Sequence, residues 1–154
     1  MARITCRTPS TGKPIRISKV DVEDTFTTIV ESPDFSVPDP SGKFPVRDPL
    51  DVGRAIRPGE VFILTPLLAI NKSNETRWIE VQLLTEDGIE IQAGRAVVPA
   101  GDTAFIPLQG RSLFKRLANA PNGDRIQIRA EVDNAFDVWA SAEEKLSNEH
   151  VGVE

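Results

Sequence analysis

The chain has no tyrosine, one histidine, one cysteine and two tryptophans among its 154 residues. Each scarcity excludes a class of chemistry. Histidine is the usual general base, proton shuttle and metal ligand. Here it is only His150, four residues from the end of the sequence. A catalytic group has to be held in fixed geometry, which a chain end does not provide. Serine triads and histidine-based metal sites both fail for want of partners. Cys6 has no second cysteine to bond, so an intrachain disulfide is excluded, and it reads as a small buried apolar group. There is no CxxC, HExxH, glycine-rich phosphate loop or GxSxG motif. The acidic pairs Glu23/Asp24 and Asp48/Asp51 carry no glycosidase signature on their own. Asp87, Asp102 and Asp124 each adjoin a glycine, which turn chemistry explains without calcium. The expectation is a protein that is not an enzyme, with no catalytic residue, no metal and no cofactor.

Long apolar runs are also missing. None approaches the roughly 20 residues needed to cross a bilayer, so no membrane partner is expected. The first residues carry charge with no apolar stretch behind them, so no secretory signal is expected either. The triplets Asn71-Lys72-Ser73 and Asn74-Glu75-Thr76 then read as turns rather than sugar acceptors. Basic excess is lacking as well. The net charge is −5 and the isoelectric point about 5.0, which argues against direct nucleic-acid binding. The charge is uneven: residues 1–20 hold Arg3, Arg7, Lys13, Arg16 and Lys19 with no acid, whereas Glu143–Glu154 holds four glutamates against Lys145. Solvated termini explain this; head-to-tail steering of subunits is the alternative.

What the chain does have is alternation. Ile79-Glu80-Val81-Gln82-Leu83, Ile89-Glu90-Ile91-Gln92-Ala93, Ile126 to Val132 and Phe136-Asp137-Val138 each alternate apolar and polar residues. Successive strand side chains point to opposite faces, so these segments build sheets with one face buried and one wet. Further strands are expected at residues 2–8, 14–20 and 25–30, at 76–85, and at 103–108. Val61–Ile70 reads as a strand buried on both faces and disturbed at Pro66, which has no N–H to give a ladder. Asp87-Gly88, Pro99 to Asp102 and Pro121 to Asp124 are turns. Arg125–Val132 and Ala135–Ser141 read as two closing strands joined at Asp133-Asn134. Ser112–Ala118 places Leu113, Phe114 and Leu117 at the spacing of one short helical turn.

Between residues 33 and 58 lie six of the twelve prolines: Pro33, Pro38, Pro40, Pro45, Pro49 and Pro58. Proline fixes φ and removes a donor, so neither a helix nor a central strand is expected there. Yet the segment carries Phe35, Val37, Phe44, Val46, Leu50, Val52 and Ile56, too many large apolar groups for a flexible linker. It reads as an extended arm that packs on its own domain or on a neighbouring subunit. The expected architecture is all-β: a single domain over 1–154, an antiparallel β-sandwich of jelly-roll type, with a proline-rich arm at 33–58, one short helical turn and an acidic tail at 143–154.

The two tryptophans are out of phase with their strands' apolar rows. Trp78 shares a face with Glu80 and Gln82, and Trp139 with Asp137 and Ser141. On an outer face such rings anchor interfaces or stack on sugars; the competing reading is that something in the monomer covers them. Phe35, Phe44, Leu50, Trp78 and Trp139 are the candidate interface residues.

Val97-Val98-Pro99-Ala100-Gly101-Asp102-Thr103, Ile106-Pro107-Leu108, Gly123-Asp124-Arg125-Ile126-Gln127-Ile128-Arg129-Ala130 and Asn134 to Ala142 together resemble small virion proteins of tailed bacteriophages. In that family a "vpAgdt…iPl" strand precedes a "GD.lqvrA…naldv.aS" strand pair. The resemblance covers about residues 60–145 and is one of strands and turns. It implies a β-sandwich without enzymatic activity, made in the bacterial cytoplasm. Such a protein assembles as a homo-oligomer with other virion proteins, as capsid cement or decoration or at the neck or tail. A carbohydrate-binding adhesion module, with Trp78 and Trp139 as stacking platforms, is the second expectation.

Overall fold

The computed structural model describes residues 12–32, 34–38, 54–115 and 122–146. Eleven strands run through them: β1 (Lys13–Lys19), β2 (Thr27–Glu31), β3 (Asp34–Pro38), β4 (Arg54–Ile63), β5 (Leu67–Asn71), β6 (Arg77–Leu84), β7 (Glu90–Val98), β8 (Thr103–Ile106), β9 (Ser112–Phe114), β10 (Arg125–Ala130) and β11 (Phe136–Leu146). All pairings are antiparallel, and they form two sheets. The smaller has the order β2-β10-β6-β7; in the larger, β11 is flanked by β1 on one side and by β4 and β5 on the other.

The larger sheet is simpler than its seven strands suggest. β4 pairs with Ala142–Leu146 of β11, and β5 with Phe136–Trp139, so β4 and β5 lie end to end along one partner. β9 and β8 lie end to end beyond them. Counted as two interrupted strands, and with β3 set aside because it pairs only with the Arg54–Pro58 end of β4, they leave eight strands in two four-stranded layers, β1–β11–β4/β5–β9/β8 and β2–β10–β6–β7, or 1-8-3-6 and 2-7-4-5 when these eight are renumbered in chain order. That is the jelly roll. Alternating inward side chains from both sheets fill the space between the layers. Ile17, Val61, Ile63, Leu67, Ile79, Val81, Ile106, Leu113, Ile126, Ile128, Phe136 and Val138 are all buried there.

Several expectations are corrected by the pairing. Val61–Ile70 is two strands, broken at Leu64-Thr65-Pro66, where the chain steps around a proline that has no N–H. It is also not buried on both faces: Val61, Ile63, Leu67 and Ala69 point inward, while Phe62, Leu68 and Ile70 are only half-buried. Ser112–Phe114 is a strand rather than a helical turn. The pairs Glu60↔Phe114 and Phe62↔Ser112 satisfy its backbone, and Leu113 enters the core; Leu117 lies outside the described residues. β10 and β11 are not neighbours. The turn at Asp133-Asn134, with Asn134 at φ 66°, carries the chain from one sheet to the other. β11 continues to Leu146, so the first four residues of the expected acidic tail are strand, paired with β1 and β4.

The proline-rich segment is strand at both its ends. β3 pairs with Arg54–Pro58 of β4 from Asp34↔Pro58 to Pro38↔Arg54, giving a two-stranded ribbon. Pro38 and Pro58 close the ladder at opposite ends of β3, where a lost donor disturbs it least. Residues 39–53, with Phe44 and Leu50, lie outside the described residues, as do residues 2–8 with Cys6, and His150.

Candidate interaction surface

Each end of the sandwich is tied by one polar side chain. At the ribbon end, the Asp124 carboxylate accepts from the backbone N–H of Glu86 at 3.0 Å and of Phe114 at 3.1 Å. Its carbonyl accepts from Ser32 N–H at 3.1 Å. The end of β2, the β6–β7 turn and β9 thus meet at one aspartate. At the opposite end, Asn71 is fully buried. Its amide nitrogen donates to the carbonyls of Glu75 and Val98, both at 2.9 Å, and of Pro99 at 3.2 Å. Its carbonyl oxygen accepts from the Ser73 N–H at 2.9 Å and hydroxyl at 2.7 Å. Asn71 is therefore a structural brace, with its amide engaged inside the fold, whereas Asn74 is exposed.

Beside it, Lys72 bridges Asp21 and Asp137, with Lys72 Nζ 3.0 Å from Asp137 Oδ1. Asp21, at φ 58°, donates its N–H to the same carboxylate at 2.9 Å. Burial acts to raise the Asp137 pKa. The Asp21 N–H and the Lys72 ammonium outweigh it and hold the carboxyl below the ordinary aspartate range. The Lys72 ammonium is held above its ordinary range, first by its bond to Asp21 and then by that to Asp137.

The two tryptophans lie on opposite outer faces, Trp78 on the smaller sheet and Trp139 on the larger. Their surroundings differ. Trp78 is half-buried between guanidinium groups, with Arg95 centred 4.8 Å and Arg129 5.7 Å from its ring centroid. Arg129 also covers Phe26 at 4.5 Å and bonds Glu80 at 2.8 Å. The ladder Phe26–Arg129–Trp78–Arg95 is satisfied within the chain by cation–π contacts, and the Gln82–Gln127–Thr28 hydrogen bonds run beside it.

Among the described residues Trp139 has no such cover, and it is 40% exposed. In register it pairs with Leu68 of β5, which pairs in turn with Phe105 of β8. On the other side it pairs with Ser18 of β1. Phe105 is 67% exposed. Phe105, Leu68 and Trp139 thus form a straight row across three strands, about 10 Å between the outer two at the usual strand spacing. Val20 and Leu64, both exposed, add to the apolar character of this face. Phe105 and Leu68 were not singled out from sequence, because their strands are apolar at nearly every position and show no alternation to read. Of the expected interface residues, then, Trp139 lies in this row, Trp78 is flanked in cis on the opposite face, and Phe35 is in the ribbon opposite Arg57; Phe44 and Leu50 lie outside the described residues. Among the described residues no group of three His, Cys, Asp or Glu side chains is placed to hold a metal ion.

No family model matches the chain, and no curated protein matches it. A solved structure containing the CBM22-1 and GH10 modules of Clostridium thermocellum endo-1,4-beta-D-xylanase 10B, complexed with xylohexaose, aligns with 88% of this chain and 30% of its own length, at 9% identity and a TM-score of 0.32. The chain therefore spans under a third of that protein, and a likeness this slight carries no argument.

Proposed function

We propose that this protein is a non-enzymatic structural component of a tailed-phage virion, which assembles as a homo-oligomer and attaches to other virion proteins. Capsid cementing is the first position and the neck or tail the second. The observation that carries the assembly reading is the Phe105–Leu68–Trp139 row. Exposed aromatic side chains are frequent anchors of protein interfaces, and contiguous exposed apolar surface marks interaction sites. The virion assignment rests on the strand-and-turn resemblance from Val97 to Ala142. The test is light scattering of the purified protein together with co-sedimentation with phage particles. The expected result is a trimer or larger ring that travels with particles; a strict monomer that leaves them unbound overturns the proposal.

A carbohydrate-binding module is the second reading, because the exposed Trp139 ring, in line with Phe105 two strands away, also suits stacking on a sugar. Under that reading a glycan array gives hits that Trp139→Ala abolishes. Hits of that kind from a monomeric protein would displace the assembly proposal.

A further inference from the structure

β7 is an open edge of the smaller sheet. Its ladder runs to β6, and its other edge pairs with no strand among the described residues. The other strands at the rims of the two layers are blunted. β1 carries Pro14 and the cations Lys13, Arg16 and Lys19. β2 has five residues, β8 four and β9 three. β7 has nine residues, with no proline and no lysine, and its Ile91 and Val97 are exposed. The Arg95 guanidinium is turned back over Trp78 of its own sheet. A long edge of this kind is where another strand adds.

A bulge decides which strand fits. Gly94 lies opposite Val81 and Gln92 opposite Gln82, so Ala93 is the extra residue. The alternation reverses there. On one side of the bulge Gly94 and Ala96 share the inner face with Val81 and Ile79, while Arg95 and Val97 share the outer face with Glu80 and Trp78. On the other side Ile91 shares the inner face with Leu83, and Glu90 and Gln92 the outer face with Leu84 and Gln82. Ala93 itself packs against the core. A plain strand laid along this edge matches faces over one half and opposes them over the other, as a one-residue slip does. A second copy of β7, antiparallel across a two-fold axis, carries the same reversal. With Ala93 opposite Gly94 of the second copy, Gln92 faces Arg95, Ile91 faces Ala96 and Glu90 faces Val97. Both members of every pair then lie on the same face of the joined sheet.

The layer beneath fits the same axis. A Cβ added to Gly94 would meet Ile106 Cγ2 at 2.5 Å, so β8 lies under the centre of this register. The axis therefore brings the two β8 strands together beneath the joint, each with its exposed Phe105 next to Ile106. The Phe105–Leu68–Trp139 row of each copy starts at the joint and runs away from it.

We propose that β7 pairs with β7 of a second copy across a two-fold axis at Ala93–Gly94, joining two four-stranded sheets into one. This inference rests on the assembly reading above and specifies a contact within it. The contact is isologous and closed, so a larger ring is a ring of such pairs.

The test is disulfide formation in a Cys6→Ser background. Glu90 and Val97 are both exposed, so thiols there leave the fold intact. They lie about 20 Å apart along one strand, too far for a bond within the chain. A chain carrying both Glu90→Cys and Val97→Cys is expected to give, on mild oxidation, a covalent dimer at least tenfold above either single variant. No larger multimer is expected, because both thiols are consumed across one axis. Yields no higher than those of the single variants, from an oligomer still intact in light scattering, overturn the β7 contact and leave the assembly reading standing. A ladder of multimers from the double variant makes the contact head to tail and overturns the two-fold pairing. A strict monomer that binds no particle fells both.

Discussion

Replacing Asn71 by alanine tests the brace that joins the end of β5 to the end of β7. The substitution removes three bonds donated by one buried amide and two accepted by its oxygen. The partners are not equally affected. The carbonyls of Glu75 and Pro99 are partly open to water, whereas the bond to Val98 is buried. A buried carbonyl left unpaired costs about 1–3 kcal/mol, and each bond that water replaces about 0.5–1.5 kcal/mol. Together these give about 3–4 kcal/mol, a fall in midpoint of about 10 °C for a chain this size. Urea and thermal unfolding followed by circular dichroism measure it, with Asn74→Ala in the same exposed turn as a control expected within about 0.5 kcal/mol. Asn71→Asp is a sharper probe. It points a carboxylate at three carbonyls, so its folded-state pKa is raised, and the variant is less stable at neutral pH than at pH near 4. A loss below about 1 kcal/mol for Asn71→Ala, or no pH dependence for Asn71→Asp, refutes the reasoning.

Gly94 lies where β7 approaches β8, and an added Cβ would sit 2.5 Å from Ile106 Cγ2, in the core. Gly94→Ala is expected to cost about 1–3 kcal/mol by overpacking, and less in an Ile106→Ala background; equal losses in both would refute the clash. The Lys72–Asp137 pair gives pH limits at both ends. Because the Asp137 pKa is lowered in the fold, its contribution is present above the ordinary aspartate value of about 3.9 and is lost as pH falls through the lower folded value. Because that of Lys72 is raised, its contribution is present below the ordinary lysine value of about 10.4 and is lost as pH rises through the higher folded value. Asp137→Asn is therefore expected to flatten the acid limb of stability against pH; an unchanged acid limb would contradict the assignment.

Strand parity read from the sequence was sufficient where apolar and polar residues alternate. It placed Trp78 and Trp139 on outer faces, and it marked the β6–β7 hairpin, whose Gly88 at φ 86° makes the Asp-Gly turn. Parity is a property of one strand, however, and the surface is a property of several. That Arg95 and Arg129 close over Trp78, while Leu68 and Phe105 extend the Trp139 row, depends on registers between residues 15 to 71 positions apart in the chain. The same limit hid the separation of β10 from β11, since a turn at Asp133-Asn134 with a left-handed Asn134 serves a sheet crossing as well as a hairpin. Ser112–Phe114 was misread because Leu113 and Phe114, taken with Leu117, have the spacing of a helical turn while also fitting a short strand, and only Glu60–Phe62 opposite it decides. The ladder at the two ends of the proline-rich segment was not legible, because prolines at the ends of a ribbon and prolines throughout a loop look the same without the partner strand.

The central claim is that the outer face of the larger sheet is an assembly surface. Light scattering of the wild-type chain and of Phe105→Glu, across a range of concentrations, tests it most directly. Phe105 is mostly exposed, so the substitution leaves folding stability within about 0.5 kcal/mol while placing a charge in the row. The account predicts an oligomer for the wild type and a folded monomer for the variant. The same mass for both proteins, or a monomeric wild type, would contradict it.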